Sequence, residues 1–156
     1  MNQNIVYRFV NMPAVAAVAR QTLIDGSPVG SGDDPHPGLY RDSHLMFLNG
    51  QWVADAKGWK PGDEIHLANP VPYSRLIEIG IMRMRVPGTD HVYARAEVIL
   101  RAKYGDDVDV NFKFMPIRFA DRAAANLIGK LQRKDRDTRA SSLKQQPALI
   151  IKAKAA

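Results

Sequence analysis

The segment Asp106–Met115, DDVDVNFKFM, alternates apolar and polar residues more cleanly than any other stretch of the chain. Val108, Val110, Phe112 and Phe114 fall on one side, while Asp109, Asn111 and Lys113 fall on the other. That period predicts a strand with one buried and one wet face, and Pro116 stops it. Such a strand needs partners beside it and a cover over its apolar face. Glu64–Asn69 (EIHLAN) alternates Ile65 and Leu67 with Glu64, His66 and Ala68, a second half-exposed strand in which His66 is read as solvent-facing. Ser43–Val53 (SHLMFLNGQWV) reads as a strand or hairpin arm around the two-residue turn signal Asn49-Gly50. Leu45 and Phe47 on one side, with Met46 and Leu48 on the other, predict burial of both its faces or a strand covered by the first helix. Ala54–Glu64 is the loop that follows, with Trp59 as its expected surface anchor.

Two helices can supply the cover. Asn11 is a suitable N-cap with Pro13 in the first turn, and Val15, Val18, Ala19, Thr22 and Leu23 share a face up to the stop at Asp25-Gly26. Thr89 or Asp90 is expected to cap a second helix, His91–Gly105, with Val92, Ala96, Ile99 and Leu100 as its inner stripe. These pieces predict an α+β domain over residues 1–116, a small mixed or antiparallel sheet packed against two helices. Residues 117–156 are expected to form a basic C-terminal extension or arm. Within it Phe119–Leu131 has a weak helical stripe, Leu131–Gln146 is too polar to bury much, and Pro147–Lys154 (PALIIKAK) is strand-like if a neighbouring sheet edge is offered.

Between these elements, Asn69–Gly80 (NPVPYSRLIEIG) reads as an anchored turn. Its two prolines extend the backbone before them, and Tyr73, Leu76 and Ile77 stand at helical spacing. Arg75 and Glu78, three apart, are expected to pair on the wet face of that turn. IMRMRVPGTD follows, an exposed cationic loop in which Met82 and Met84 alternate with Arg83 and Arg85. The overall charge of +6 is unevenly placed. Residues 1–112 hold 11 Lys and Arg against 13 Asp and Glu, a net −2, whereas residues 113–156 hold 11 against 3, a net +8. Arg133, Lys134, Arg136, Arg139, Lys144, Lys152 and Lys154 make up the basic arm. Such a segment suits DNA, an acidic neighbour or solvent.

Several chemistries are excluded or weakly signalled. With no cysteine, disulfides and thiolate metal sites are ruled out. No apolar run approaches the ~20 residues of a membrane span, and MNQNIVYRFVN lacks the basic and apolar regions of a secretory signal, so no membrane association is expected. Phosphate-loop, dinucleotide, nucleophile-elbow and H-E-x-x-H motifs are missing. The loop Ser27–Ser43 brings Asp33, Asp34 and His36 close in sequence, with His44 just beyond, which leaves a metal-dependent hydrolase as one alternative. Their spacing fits neither a helical ligand pair nor a cation loop. No catalysis and no cofactor are expected.

The order of the motifs resembles a family of tailed-phage neck and tail-completion proteins, the head–tail joining or minor tail group. Pro28, Val29 and Ser31-Gly32 resemble the first half of that family's P-V-x-T-G-x-L-x-x-S loop, and Gly38, Leu39, Arg41 and Ser43 its second half, separated by an insertion. Asn69, Pro72, Tyr73, Ile77, Glu78 and Gly80 resemble its N-x-x-P-Y-A-x-x-I-E-x-G segment, with Ser74 in place of the small Ala. The resemblance covers roughly residues 11–116, and the basic extension lies outside it. It implies a structural virion protein, assembled in the host cytoplasm, whose copies form a ring in the neck or at the head-proximal end of the tail. Its partners would be copies of itself and other neck, portal-adaptor or tail-tube proteins. Passing DNA would be touched transiently and without sequence preference, and the Met82–Arg85 loop is a candidate for the channel or a subunit contact. The other reading left open is a nucleic-acid-binding protein acting through the basic segment.

Overall fold

The computed structural model describes residues 10–29, 38–71, 74–80, 88–115 and 146–154. Helix α1 (Met12–Asp25) starts where Asn11 Oδ1 accepts from Ala14 N, with Pro13 in its first turn, and ends at Gly26. Its face of Met12, Val15, Ala16, Ala19 and Leu23 is fully buried. Strands β1 (Leu45–Leu48) and β2 (Gln51–Val53) form the expected hairpin. Asn49 and Gly50 both take positive φ, 50° and 83°, as a tight turn matched to the strand twist requires. Strand β3 (Glu64–Ala68), the short helix α2 (Ser74–Glu78), helix α3 (Val92–Tyr104) and strand β4 (Val108–Met115) follow in the expected order.

The expected boundary near residue 116 is not where the domain closes. Strand β5 (Gln146–Ala153) enters the same sheet, whose order is β2-β1-β3-β5-β4, all neighbours antiparallel. It pairs with β3 on one side (Ile65 opposite Ile151) and with β4 on the other (Val110 opposite Ile151). The run Leu149-Ile150-Ile151 lacks alternation because the strand is interior, with Leu149 and Ile151 packed under the helices and Ala148 buried on the other face. Lys152 and Lys154, expected in a free arm, therefore belong to the folded domain. Lys152 lies on β5 opposite Asp109 and Glu64, and Lys154 donates to the Gly105 carbonyl.

The core lies between the helices and one face of the sheet. Met12, Ala16, Ala19 and Leu23 of α1 and Val92, Tyr93, Ala96 and Leu100 of α3 share it with Met46, Ile65, Leu67, Val108, Val110, Leu149 and Ile151. Leu45, Phe47, Ala68 and Ala148 form a second cluster on the opposite face, so β1 is buried on both sides and its Met46 face shares the core with α1. Trp59 is partly buried. It packs against the main core and its Nε1 donates to the Asp63 carbonyl. In α3 the expected inner residue Ile99 is 53% exposed, and Tyr93 is fully buried instead. The true stripe is Val92, Tyr93, Ala96 and Leu100, rotated slightly from the one read from the sequence.

Candidate functional site

The buried polar residues Ser43, His44, Asn69, Ser74 and Glu78 lie where the end of α1, the start of β1, the end of β3, α2 and the start of α3 meet, whereas Gln146 is buried at the start of β5. Asn69 is fully buried and holds the turn after β3. Its Oδ1 accepts from Val71 N at 3.0 Å and from Ser74 Oγ at 3.1 Å, while its Nδ2 donates to the Tyr40 carbonyl at 2.7 Å. An Asn before Pro can serve both roles because its amide offers an acceptor to the local turn and a donor to a distant strand entry. Ser43 is also buried and donates to the Leu39 carbonyl.

His44 stands beside this turn. Tyr93 Oη lies 2.8 Å from its Nδ1, and its Nε2 lies 2.6 Å from Ser27 Oγ. Ser27 Oγ in turn lies 2.5 Å from the Leu23 carbonyl, which can only accept. The directions of all three bonds then follow. Ser27 donates to Leu23, so His44 carries its proton on Nε2 and donates to Ser27, and Nδ1 accepts from Tyr93. Activating a serine would require the reverse, an unprotonated Nε2 taking the serine proton. Burial, helped by the nearby Arg20 and opposed by Asp42, also pushes the His44 pKa down to about 3. Burial raises the Tyr93 phenol well above its ordinary value, and the neighbouring Tyr40 and Glu78 add to this. The imidazole stays neutral and the Tyr93–His44–Ser27 chain acts as a tie between α3 and α1.

Glu78 corrects the surface pairing expected with Arg75. It is 2% exposed, whereas Leu76 is 39% exposed, so the short helix turns its acid inward. Glu78 Oε2 accepts from Tyr93 N at 2.9 Å and Oε1 from Ala94 N at 2.7 Å. Neither Thr89 nor Asp90 takes the expected capping place. His91 is the flanking residue, with φ of 53°, and makes no side-chain cap. The carboxyl of α2 thus satisfies two orphan donors of α3 and meets its positive end. Burial raises its pKa, and the bonds from Tyr93 and Ala94 counter that rise. Gly80, just beyond, has φ of 75°, and a Cβ there would lie 2.9 Å from His91 Cε1.

The structure therefore brings Leu39, Ser43, Asn69, Glu78 and Gly80 of the loop motifs to one region, and the half-buried Pro28 follows Ser27 in the chain. Gly32, Tyr73, Met82, Arg83, Met84, Arg85, Arg133, Lys134, Arg136, Arg139 and Lys144 lie outside the described residues, as do Asp33, Asp34 and His36. Among the described residues no group of three or more His, Asp or Glu is placed to hold a metal ion, and no helix is long and apolar enough to cross a membrane. Ser27, His44 and Tyr93 were not singled out as a cluster from the sequence. Tyr93 was detectable, since Tyr93, Ala96 and Leu100 also stand at helical spacing. Comparison with protein-family models, curated proteins and solved structures finds no significant match.

Proposed function

We propose that the chain is a structural component of a tailed-phage virion, one copy of a collar in the neck or at the head-proximal end of the tail, surrounding the DNA channel. The observation that carries this reading is the use made of the motif residues. Ser43, Asn69 and Glu78 direct their polar atoms at the backbone of neighbouring elements, which is the behaviour of joints in a rigid building block. Among the described residues, the Ser27–His44 contact is oriented against nucleophile activation, which supports a role that rests on shape. A rigid block of this kind can close into a ring through head-to-tail contacts. A collar of this kind would touch passing DNA through scattered cations and without sequence preference.

Two measurements test the reading together. Mass spectrometry of purified virions is expected to find the protein at a fixed copy number. Negative-stain images of the purified protein, alone or with neck and tail partners, are expected to show rings. Absence from the virion, or a strictly monomeric species in the presence of those partners, would overturn it. A second reading, nucleic-acid binding, is favoured by the net +8 of residues 113–156. Removal of residues 117–156 cannot test it, because that truncation also deletes β5 from the sheet interior.

A further inference from the structure

Among the described residues β4 is an edge strand, and its free side is partly occupied by side chains of α3. Arg101 Nε donates to the Val110 carbonyl at 2.7 Å, and Glu97 accepts from Phe112 N. These two bonds show that the even-numbered residues of β4 turn their backbone groups away from β5. The Val108–Phe114 segment, VDVNFKF, has a further property. Laid antiparallel to a copy of itself about Asn111, it sets Val110 against Phe112 and Val108 against Phe114 on the helix-side face. On the other face Asp109 meets Lys113, twice, by symmetry. Asp109, Asn111 and Lys113 are exposed and Phe114 is 41% exposed, while Asn111 Oδ1 at the centre accepts from Arg101 Nη2 at 3.0 Å, so a partner can reach this strip once Arg101 is displaced. The same register matches the outward-turned backbone groups of Val110 with those of Phe112 in the second copy, as a hydrogen-bonded ladder requires.

We infer that β4 is the seam of a two-fold dimer, in which two copies of this chain pair their β4 strands antiparallel about Asn111 and join their sheets into one. The charge pattern selects a second copy as the occupant, since opposite charges face each other only in the antiparallel self-pairing centred on that residue. Glu97 and Arg101 act as guards of this edge. They hold one acceptor and one donor of the ladder in the free chain, and pairing requires both to let go. Standing one helical turn apart, with Arg101 Nη2 already 3.6 Å from Glu97 Oε2, they can pair with each other once displaced. This contact goes beyond the collar reading and does not depend on it, because a two-fold contact closes on itself whereas a ring needs head-to-tail contacts.

Sedimentation of the full chain over a range of concentrations tests the inference. Asp109→Lys and Lys113→Asp each create two like-charge pairs and should weaken self-association about tenfold or more. Mixing those two variants should restore it as a heterodimer, and the double variant D109K/K113D should restore it alone. Both positions are exposed, so all these chains should remain folded by circular dichroism. Glu97→Ala with Arg101→Ala removes the guards and should strengthen association. The inference is overturned if the unguarded variant stays monomeric to about millimolar concentration, or if association is indifferent to the charge changes. The second result would include a head-to-tail ring or capture of some other extended segment.

Discussion

Glu78 is held between two opposed influences. Burial disfavours its charged form, while two amide donors at the start of α3 favour it. Removing the carboxyl strands two N–H groups in a buried place, and each such loss costs on the order of 1–3 kcal/mol. Glu78→Ala is therefore expected to lower the unfolding free energy by about 2–4 kcal/mol in urea titration. Glu78→Gln, which keeps one oxygen acceptor, should lose less than half of that. Equal losses for the two variants would show that the cap is not what Glu78 contributes.

His44 makes stability depend on pH, with a sign that follows from linkage. Its folded pKa is depressed to about 3 from 6.5, so below pH 6.5 the unfolded chain binds a proton that the native chain refuses. Stability should therefore fall as the pH drops from about 6.5 towards 3, by up to ~1.4 kcal/mol per pH unit from this group. Glu78 acts in the opposite sense. Its raised pKa gives it a stabilising share below 4.5 that is lost as the pH rises. The difference between wild type and His44→Gln isolates the histidine. Wild type should be the more pH-sensitive between pH 6.5 and 4.5, and parallel profiles would refute the buried-neutral assignment.

Among the elements, β5 decides whether β4 joins the β2-β1-β3 strands in one sheet. It is the only described connection between β3 and β4, and Leu149 and Ile151 are both fully buried. Leu149→Ala should cost about 2–5 kcal/mol, read from the midpoint of chemical unfolding. A chain ending before Gln146 should lose its cooperative transition altogether. The same strand shows what could be read from sequence and why. The period-2 run in β4, the Asn49-Gly50 hairpin and the Asn11–Gly26 helix were legible, because each declares itself locally through spacing, caps or turn chemistry. The apolar run of β5 carries no alternation to declare a wet face, and it follows a long polar stretch, so it read as part of an arm. Only pairing on both edges explains it. The inward turn of Glu78 was hidden for a related reason. Its partners are amides of a helix that begins 14 residues later, at Val92, and no local pattern reports a cap supplied from another element. Asn69 was legible as a turn residue, but its hold on Tyr40 was not.

For the whole molecule, the question is how the uneven charge is used. The collar reading expects weak, sequence-indifferent attraction to DNA, while a dedicated nucleic-acid binder would need many phosphate contacts made together. Replacing Arg133, Lys134, Arg136, Arg139 and Lys144 by Gln separates the two and leaves β5 in place. Each phosphate contact contributes about 0.9 to the slope of log affinity against log salt. If these five cations bind duplex DNA directly, the substitution should flatten that slope by about 4.5 and abolish binding near physiological salt. If the chain works as a collar, wild-type binding should already be weak, with a dissociation constant no tighter than about 10⁻⁴–10⁻⁶ M. The substitution should then change the slope by about 1 or less, and incorporation into virions should persist. A steep wild-type slope that collapses in the variant would transfer the function from the shape of the block to the charge it carries.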